Sequence, residues 1–253
     1  MRSIISLLKK EVKQLNILFI VSILITAVWE GFLITGTETW PPGISFGLGF
    51  IPLFFLPLIM IFMAYTSYKS EWGNNTIYLL KILPRRASEI NLAKFLPAFI
   101  YYLFLSAAVI AVNLYFNQSL IIQILNEAPE LIGRQLAKQF LVLSYTAYLI
   151  MGIQLYLITQ FSYIIASFYN RFRILISILV FLLSHYLILR LGGFLNYLFN
   201  WLPDFPAAVF MESPAGVREA TVYIGSAPFM VILLIMTGLF FLNSRLIASD
   251  VDV

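Results

Sequence analysis

The chain has 253 residues, of which 61% are hydrophobic and 11% charged, and its formal net charge is +4. Soluble domains usually have about 25% charged residues, so this composition excludes an ordinary soluble protein. The absence of cysteine excludes disulfides and thiolate metal sites. Apolar stretches of roughly 20 residues recur along nearly the whole length, which predicts one integral membrane domain over 1–253.

The N-terminal residues, 1–14, have an amphipathic pattern. Apolar residues recur there at helical spacing, opposite lysines at positions 9, 10 and 13. This pattern predicts an interfacial helix that lies in the cytoplasmic headgroup layer and joins the first span at a bend. The alternative is a solvated helix that serves only as a positive anchor for the topology.

Uncharged apolar runs predict an all-α fold with six transmembrane helices, at about 15–35, 44–68, 95–116, 140–168, 172–191 and 226–246. An even number of spans places both termini on one side. Cytoplasmic loops retain Lys and Arg, so a cytoplasmic N-terminus fits the charges best. We expect the chain to lie in the inner (cytoplasmic) membrane. In that orientation, the basic residues on the outer side are Arg134, Lys138, Arg190 and Arg218. The basic charge therefore indicates topology, and no nucleic-acid partner is expected.

The longest predicted cytoplasmic connection, 69–94, joins the second and third spans. Apolar residues at positions 77, 79, 80, 82 and 83 form a block before Pro84, and proline breaks a helix. Asn74 or Asn75 is placed to cap the start of this helix by accepting a backbone N–H bond. A short, partly apolar helix that faces the cytoplasm must bury its apolar side chains against another surface. We expect a partner protein rather than lipid headgroups.

The same connection has the pattern E-x4-T-x2-L-L-x3-P-x9-K, formed by Glu71, Thr76, Leu79, Leu80, Pro84 and Lys94. It resembles the signature of the type 2 ATP-binding-cassette (ABC) permeases. The Lys10-Glu11 pair, the six spans and an apolar hairpin before the last span are similar to the same family, so the resemblance covers essentially the whole chain. It implies that 69–94 is a coupling segment whose helix inserts into a groove on a cytoplasmic ATPase. The residues implied in this contact are Glu71, Asn75, Thr76, Leu79, Leu80, Leu83 and Pro84.

The segment 192–225 precedes the last predicted span. Its first part is apolar and aromatic, and Pro203, Pro206 and Pro214 then interrupt it. The resemblance implies re-entrant helices here, on the outer side of the membrane. Non-helical backbone at that depth must be buried in protein or lie in a wet cavity.

The sequence has no motif for ATP binding or catalysis. None of its 13 glycines is followed by Lys, so the phosphate-binding loop G-x-x-x-x-G-K-[ST] is absent. Ser184 and His185 are neighbours, but adjacent helical residues point about 100° apart. We therefore expect no catalytic site, metal or cofactor in this chain, and we expect ATP and Mg to bind in a partner ATPase subunit.

Four polar residues inside the predicted spans are candidates for the translocation path: Glu30, Tyr102, Gln154 and His185. A carboxylate within a span is unfavourable unless it faces a cavity, a cation or a basic group. Each candidate has a structural alternative. Glu30 can snorkel to the outer headgroups, and the others can pack or hydrogen-bond between helices.

These features favour a permease that pairs with a second copy or a related chain, contacts membrane lipid and docks on ATPase subunits. The resemblance implies export, and the aromatic spans favour a hydrophobic or amphipathic substrate such as a peptide, antibiotic or lipid-like molecule. The alternatives are an ion-coupled transporter or channel that uses Glu30 and His185, and a membrane sensor subunit that does not transport.

Overall fold

The computed structural model describes residues 2–36, 40, 42–73, 86–119, 122, 134–169, 172–213 and 216–249. In that part of the chain, six helical segments are long and apolar enough to cross a membrane, which confirms the predicted number of spans. The long helices are α1 (Arg2–Gly36), α3 (Ile51–Gly73), α4 (Ala87–Phe116), α5 (Arg134–Ser167), α6 (Arg173–Leu198) and α7 (Ala227–Ser249), and the short α2 (Pro42–Leu48) precedes α3.

The helices form one bundle in which α3, α4 and α5 are central. Helix α1 packs against α3 and α4, α7 packs against α4 and α5, and α6 contacts α5 and α7. The apolar core lies between these helices and includes Leu15, Leu56, Met60, Tyr102, Tyr156 and Met236. Helix α6 differs from the others because none of its residues is buried. It therefore lies at the edge of the bundle.

Helix α1 is longer than one span requires. At about 1.5 Å per residue it extends roughly 52 Å, whereas the hydrocarbon core of a bilayer is about 30 Å thick. It runs from Arg2 to Gly36 as a single element, with no break near residue 14. Glu11 and Leu15 are both 0% exposed, so this part packs into the bundle. The prediction of a separate interfacial helix over 1–14 is therefore not confirmed.

An antiparallel β-hairpin connects α6 to α7. Strand β1 (Asp204–Ser213) pairs with β2 (Gly216–Gly225), from Asp204 opposite Gly225 to Ser213 opposite Gly216. This corrects the prediction of re-entrant helices in 192–225. Pro206 disfavours a regular helix, and residues 221–224 are β-branched and aromatic types that favour strands. The start of the segment instead continues the fifth span, because α6 extends to Leu198.

Candidate functional site

Four charged residues from three helices meet at the end of the bundle where α1 begins. Lys10 and Glu11 lie in the N-terminal part of α1, Glu71 lies near the end of α3, and Lys94 lies about two turns into α4. Because α3 ends and α4 begins at this end of the bundle, residues distant in sequence become neighbours. We call Lys10, Glu11, Glu71 and Lys94 the ionic cluster.

The ionic cluster is held by short contacts. Lys94 Nζ lies 2.6 Å from Glu11 Oε1 and 3.2 Å from Glu71 Oε1. Lys10 Nζ lies 2.5 Å from the same Glu71 oxygen. The side chains of Glu11, Glu71 and Lys94 are at most 1% exposed, whereas that of Lys10 is 47% exposed. Two lysines thus balance two carboxylates, and only Lys10 reaches the surface.

Neighbouring groups satisfy the remaining hydrogen-bonding capacity of the buried charges. Ser67 Oγ donates to Glu11 Oε2 at 2.8 Å, and Lys94 Nζ donates to Ser67 O at 3.2 Å. The ammonium of Lys94 also lies 5.2 Å from the centre of the Tyr68 ring. An ammonium has three donors, and here Glu11, Glu71 and Ser67 all offer acceptors. A buried charge is tolerated when it is paired and hydrogen-bonded in this way.

A polar layer of four residues (Tyr68, Asn91, Gln160 and Ser244) lies beside the ionic cluster. Asn91 is at its centre and is one turn from Lys94 on α4. Asn91 Oδ1 accepts from Gln160 Nε2 at 2.6 Å and from the Tyr68 hydroxyl at 3.3 Å. Asn91 Nδ2 donates to Ser244 Oγ at 3.0 Å. The layer joins α3, α4, α5 and α7, so together with the ionic cluster it links five of the six long helices.

Of the residues predicted to contact an ATPase, only Glu71 is described by the structure. It lies two residues before the end of α3, so the ionic cluster is at the C-terminal end of that helix. The other predicted residues, Asn75, Thr76, Leu79, Leu80, Leu83 and Pro84, lie outside the described residues.

The candidate path residues do not form one site. Glu30 is 8% exposed, on the same side of α1 as the buried Leu15 and Leu33, so it faces the bundle. Among the described residues, its Oε1 has no hydrogen-bond partner. Glu30 is 19 residues beyond Glu11 in the same helix, which places the two carboxylates roughly 28 Å apart along its axis.

The other three candidates lie in different environments. Tyr102 is 2% exposed and donates from its hydroxyl to Tyr148 O at 3.0 Å, so it belongs to the core. Gln154 lines a cleft between α5, α6 and α7. His185 is partly exposed on α6, where its ring stacks on Phe181 with 6.5 Å between centroids.

Sequence reasoning did not select most of the residues that form the ionic cluster and polar layer. Lys10 and Lys94 were interpreted as cytoplasmic topology charges and, with Glu11, as part of the family resemblance, but not as partners of one another. Asn91 was not singled out. One signal was present in the sequence. Lys94 and Glu11 are opposite charges, each inside a long apolar helix, at ends of spans that the topology places together. Such charges are rarely left unpaired in a membrane protein.

The site is suited to holding helices together rather than to covalent chemistry. Glu11 and Glu71 are both engaged by lysines, so neither is poised as a base. Within the described ranges, no group of three or more His, Cys, Asp or Glu residues is placed to hold a metal ion. No protein-family model, curated protein or solved structure matches the chain, so its function is inferred from the geometry of this site.

Proposed function

We propose that the chain is the permease subunit of an ATP-binding-cassette exporter, driven by a separate ATPase that binds ATP and Mg. The ionic cluster carries this proposal. Glu71 and Lys94 begin and end the sequence pattern that resembles the type 2 permeases, and Lys10-Glu11 is the pair that precedes the first apolar span. These four residues come from three separate parts of the sequence and are joined by ion pairs.

The position of the ionic cluster supports a role in transmitting force. Residues 74–85 follow α3 directly, and Glu71 is less than one turn from the end of that helix. Glu71 is bonded to Lys10 of α1 and to Lys94 of α4. A push on 74–85 by the ATPase therefore moves α1, α3 and α4 together. The polar layer extends this movement to α5 and α7, and the spans rock between inward- and outward-facing states.

The proposed assembly contains two permease chains, either two copies of this chain or this chain and a related one. The edge position of α6 supports this, because a span without any buried residue offers a whole face to lipid or to another subunit. In this assembly the cytoplasmic side holds both termini and the ATPase contacts.

The contact with the ATPase is tested by Leu80→Asp. A carboxylate placed in an apolar contact loses hydration without gaining a partner, so we expect ATPase co-purification to fall by about tenfold or more. The measurement is the amount of a protein carrying the phosphate-binding loop that is recovered with the tagged chain in mild detergent. Lys9→Asp, at an exposed position of α1, is the charge-changing control and keeps the ATPase. Undiminished co-purification with Leu80→Asp would contradict the predicted contact.

Force transmission is tested by Lys10→Met in the reconstituted complex. Lys10 is half-exposed, so its loss leaves the fold intact but removes the contact between α1 and Glu71. We expect the ATPase to stay bound while its hydrolysis rate falls several-fold toward that of the free ATPase. Lys13→Met is the matched control, because Lys13 is exposed on the same helix and lies outside the ionic cluster. Equal hydrolysis rates for the two variants would contradict the proposal that the ionic cluster transmits force.

A further inference from the structure

A cleft of about 300 Å³ opens between α5, α6 and α7. Its walls are mainly aliphatic, with Ile188 of α6 and Val231 and Met236 of α7 among them. Two amide side chains, Gln154 of α5 and Asn196 of α6, also line it, and no charged residue is among the described lining residues. The cleft is therefore a neutral, apolar space with amide groups in its wall.

One of these amides has an unsatisfied acceptor. Asn196 Oδ1 is shielded from solvent and has no hydrogen-bond partner in the described part of the chain. An unmade hydrogen bond at a buried acceptor is unfavourable, and in a membrane no bulk water compensates for it. Asn196 lines the cleft, so a rotation of its side-chain amide turns this oxygen toward the open space. A molecule there that donates an N–H or O–H to Asn196 then removes this penalty.

Two glycines, which have no side chain, leave the cleft open. Gly192 and Gly193 of α6 are adjacent in its wall. A Cβ added at Gly193 would meet nothing within 4 Å, and one added at Gly192 would meet only Ile235 Cδ1, at 3.9 Å. Glycines in membrane helices commonly permit a neighbouring helix to approach closely. These two do not, so their small size preserves space instead.

We propose that this cleft binds the apolar, uncharged part of an amphipathic substrate that carries an N–H or O–H donor. The absence of charge in the described lining excludes a charged group at this point, because no residue there would compensate it. The cleft is at the lower end of the size range of ligand sites, about 300–1,000 Å³. This inference rests on the proposed permease function and narrows its substrate class.

The test uses two photoreactive diazirine probes that differ only in hydrogen bonding: dodecanamide, which has an N–H donor, and methyl dodecanoate, which has none. The chain is placed in lipid nanodiscs without the ATPase, and labelled peptides of α6 and α7 are quantified by mass spectrometry. We expect dodecanamide to label these peptides about tenfold more than methyl dodecanoate. Asn196→Leu should remove this preference, since it deletes the acceptor without leaving another group unpaired.

A filling variant distinguishes the cleft from the general lipid surface. Gly193→Leu should abolish labelling by both probes, because its side chain occupies the open space. Gly238→Leu is the control, since a Cβ there also meets nothing within 4 Å and Gly238 does not line the cleft. Equal labelling by the two probes would mean that a lipid chain alone fills the cleft, and that result, or no labelling, overturns the inference. Because no ATPase is present, failure here is separate from failure of the Leu80→Asp test.

Discussion

Replacing Lys94 with methionine is expected to lower the free energy of unfolding by about 3–5 kcal/mol. Met has a similar length and fits the apolar stem, but it cannot donate to Glu11, Glu71 or Ser67. Glu11 and Glu71 are at most 1% exposed. In the variant, Glu71 keeps its ion pair with Lys10, whereas Glu11 loses its ion pair with Lys94 and keeps the hydrogen bond from Ser67. Removing one partner of a buried ion pair is strongly destabilising because the other charge stays behind.

A double variant separates lost pairing from lost packing. Replacing both members of a buried ion pair by apolar residues is often nearly neutral, so Glu11→Met combined with Lys94→Met should recover much of the loss. Unfolding in detergent, titrated with SDS and followed by tryptophan fluorescence, measures all variants. Lys69→Met, at an exposed position of α3, should remain within about 0.5 kcal/mol of the parent chain. If Lys94→Met unfolds at the same SDS fraction as the parent chain, the ionic cluster does not stabilise the bundle.

The spans were predictable because the length and hydrophobicity of a segment are local properties of the sequence. The ionic cluster was not predictable in the same way. Lys94 was interpreted as a cytoplasmic topology charge, yet it lies inside α4 and is 1% exposed. Whether such a lysine meets water or a carboxylate depends on which helix packs beside it, and the local sequence pattern around Lys94 does not identify that helix.

The predictions for residues 1–14 and 192–225 differ from the structure for two separate reasons. Residues 1–14 have the apolar residues at helical spacing that suit a membrane surface. In the structure, however, Glu11 pairs with Lys94 inside the bundle, and this part of the chain continues into the first span as one helix. Residues 192–225 contain short apolar runs, which periodicity alone does not assign to helix or strand. The family resemblance favoured helices there, whereas the β-branched and aromatic residues at 221–224 favour the hairpin that is observed.

Tyr102, a candidate residue of the translocation path, illustrates a third reason why prediction and structure differ. Its amphipathic ring suited a substrate path, but the ring is buried against Gly152 of α5 and stacks on Tyr148 with 5.3 Å between centroids. The glycine that makes room for the ring is 50 positions away in the sequence. Nothing in the local pattern around Tyr102 indicates that contact.

Gly152→Ala is expected to be the second most damaging of these changes, costing about 1–3 kcal/mol. A Cβ at this position would lie 2.5 Å from Cε1 and Cζ of Tyr102, well inside van der Waals contact. The ring has little freedom to retreat, because it is 2% exposed and its hydroxyl is bonded to Tyr148 O. The added methyl group therefore forces α4 and α5 apart or moves the ring from its place.

A second substitution tests whether the Tyr102 ring is the cause. In a Tyr102→Leu background the clashing ring is absent, so Gly152→Ala should cost much less there than in the parent chain. Gly238→Ala is the control for helix propensity, because its Cβ meets no atom within 4 Å and should be neutral or slightly stabilising. The same SDS titration serves for all variants. If Gly152→Ala proves neutral, the ring moves freely, and a translocation role for Tyr102 becomes the better explanation because packing no longer fixes it.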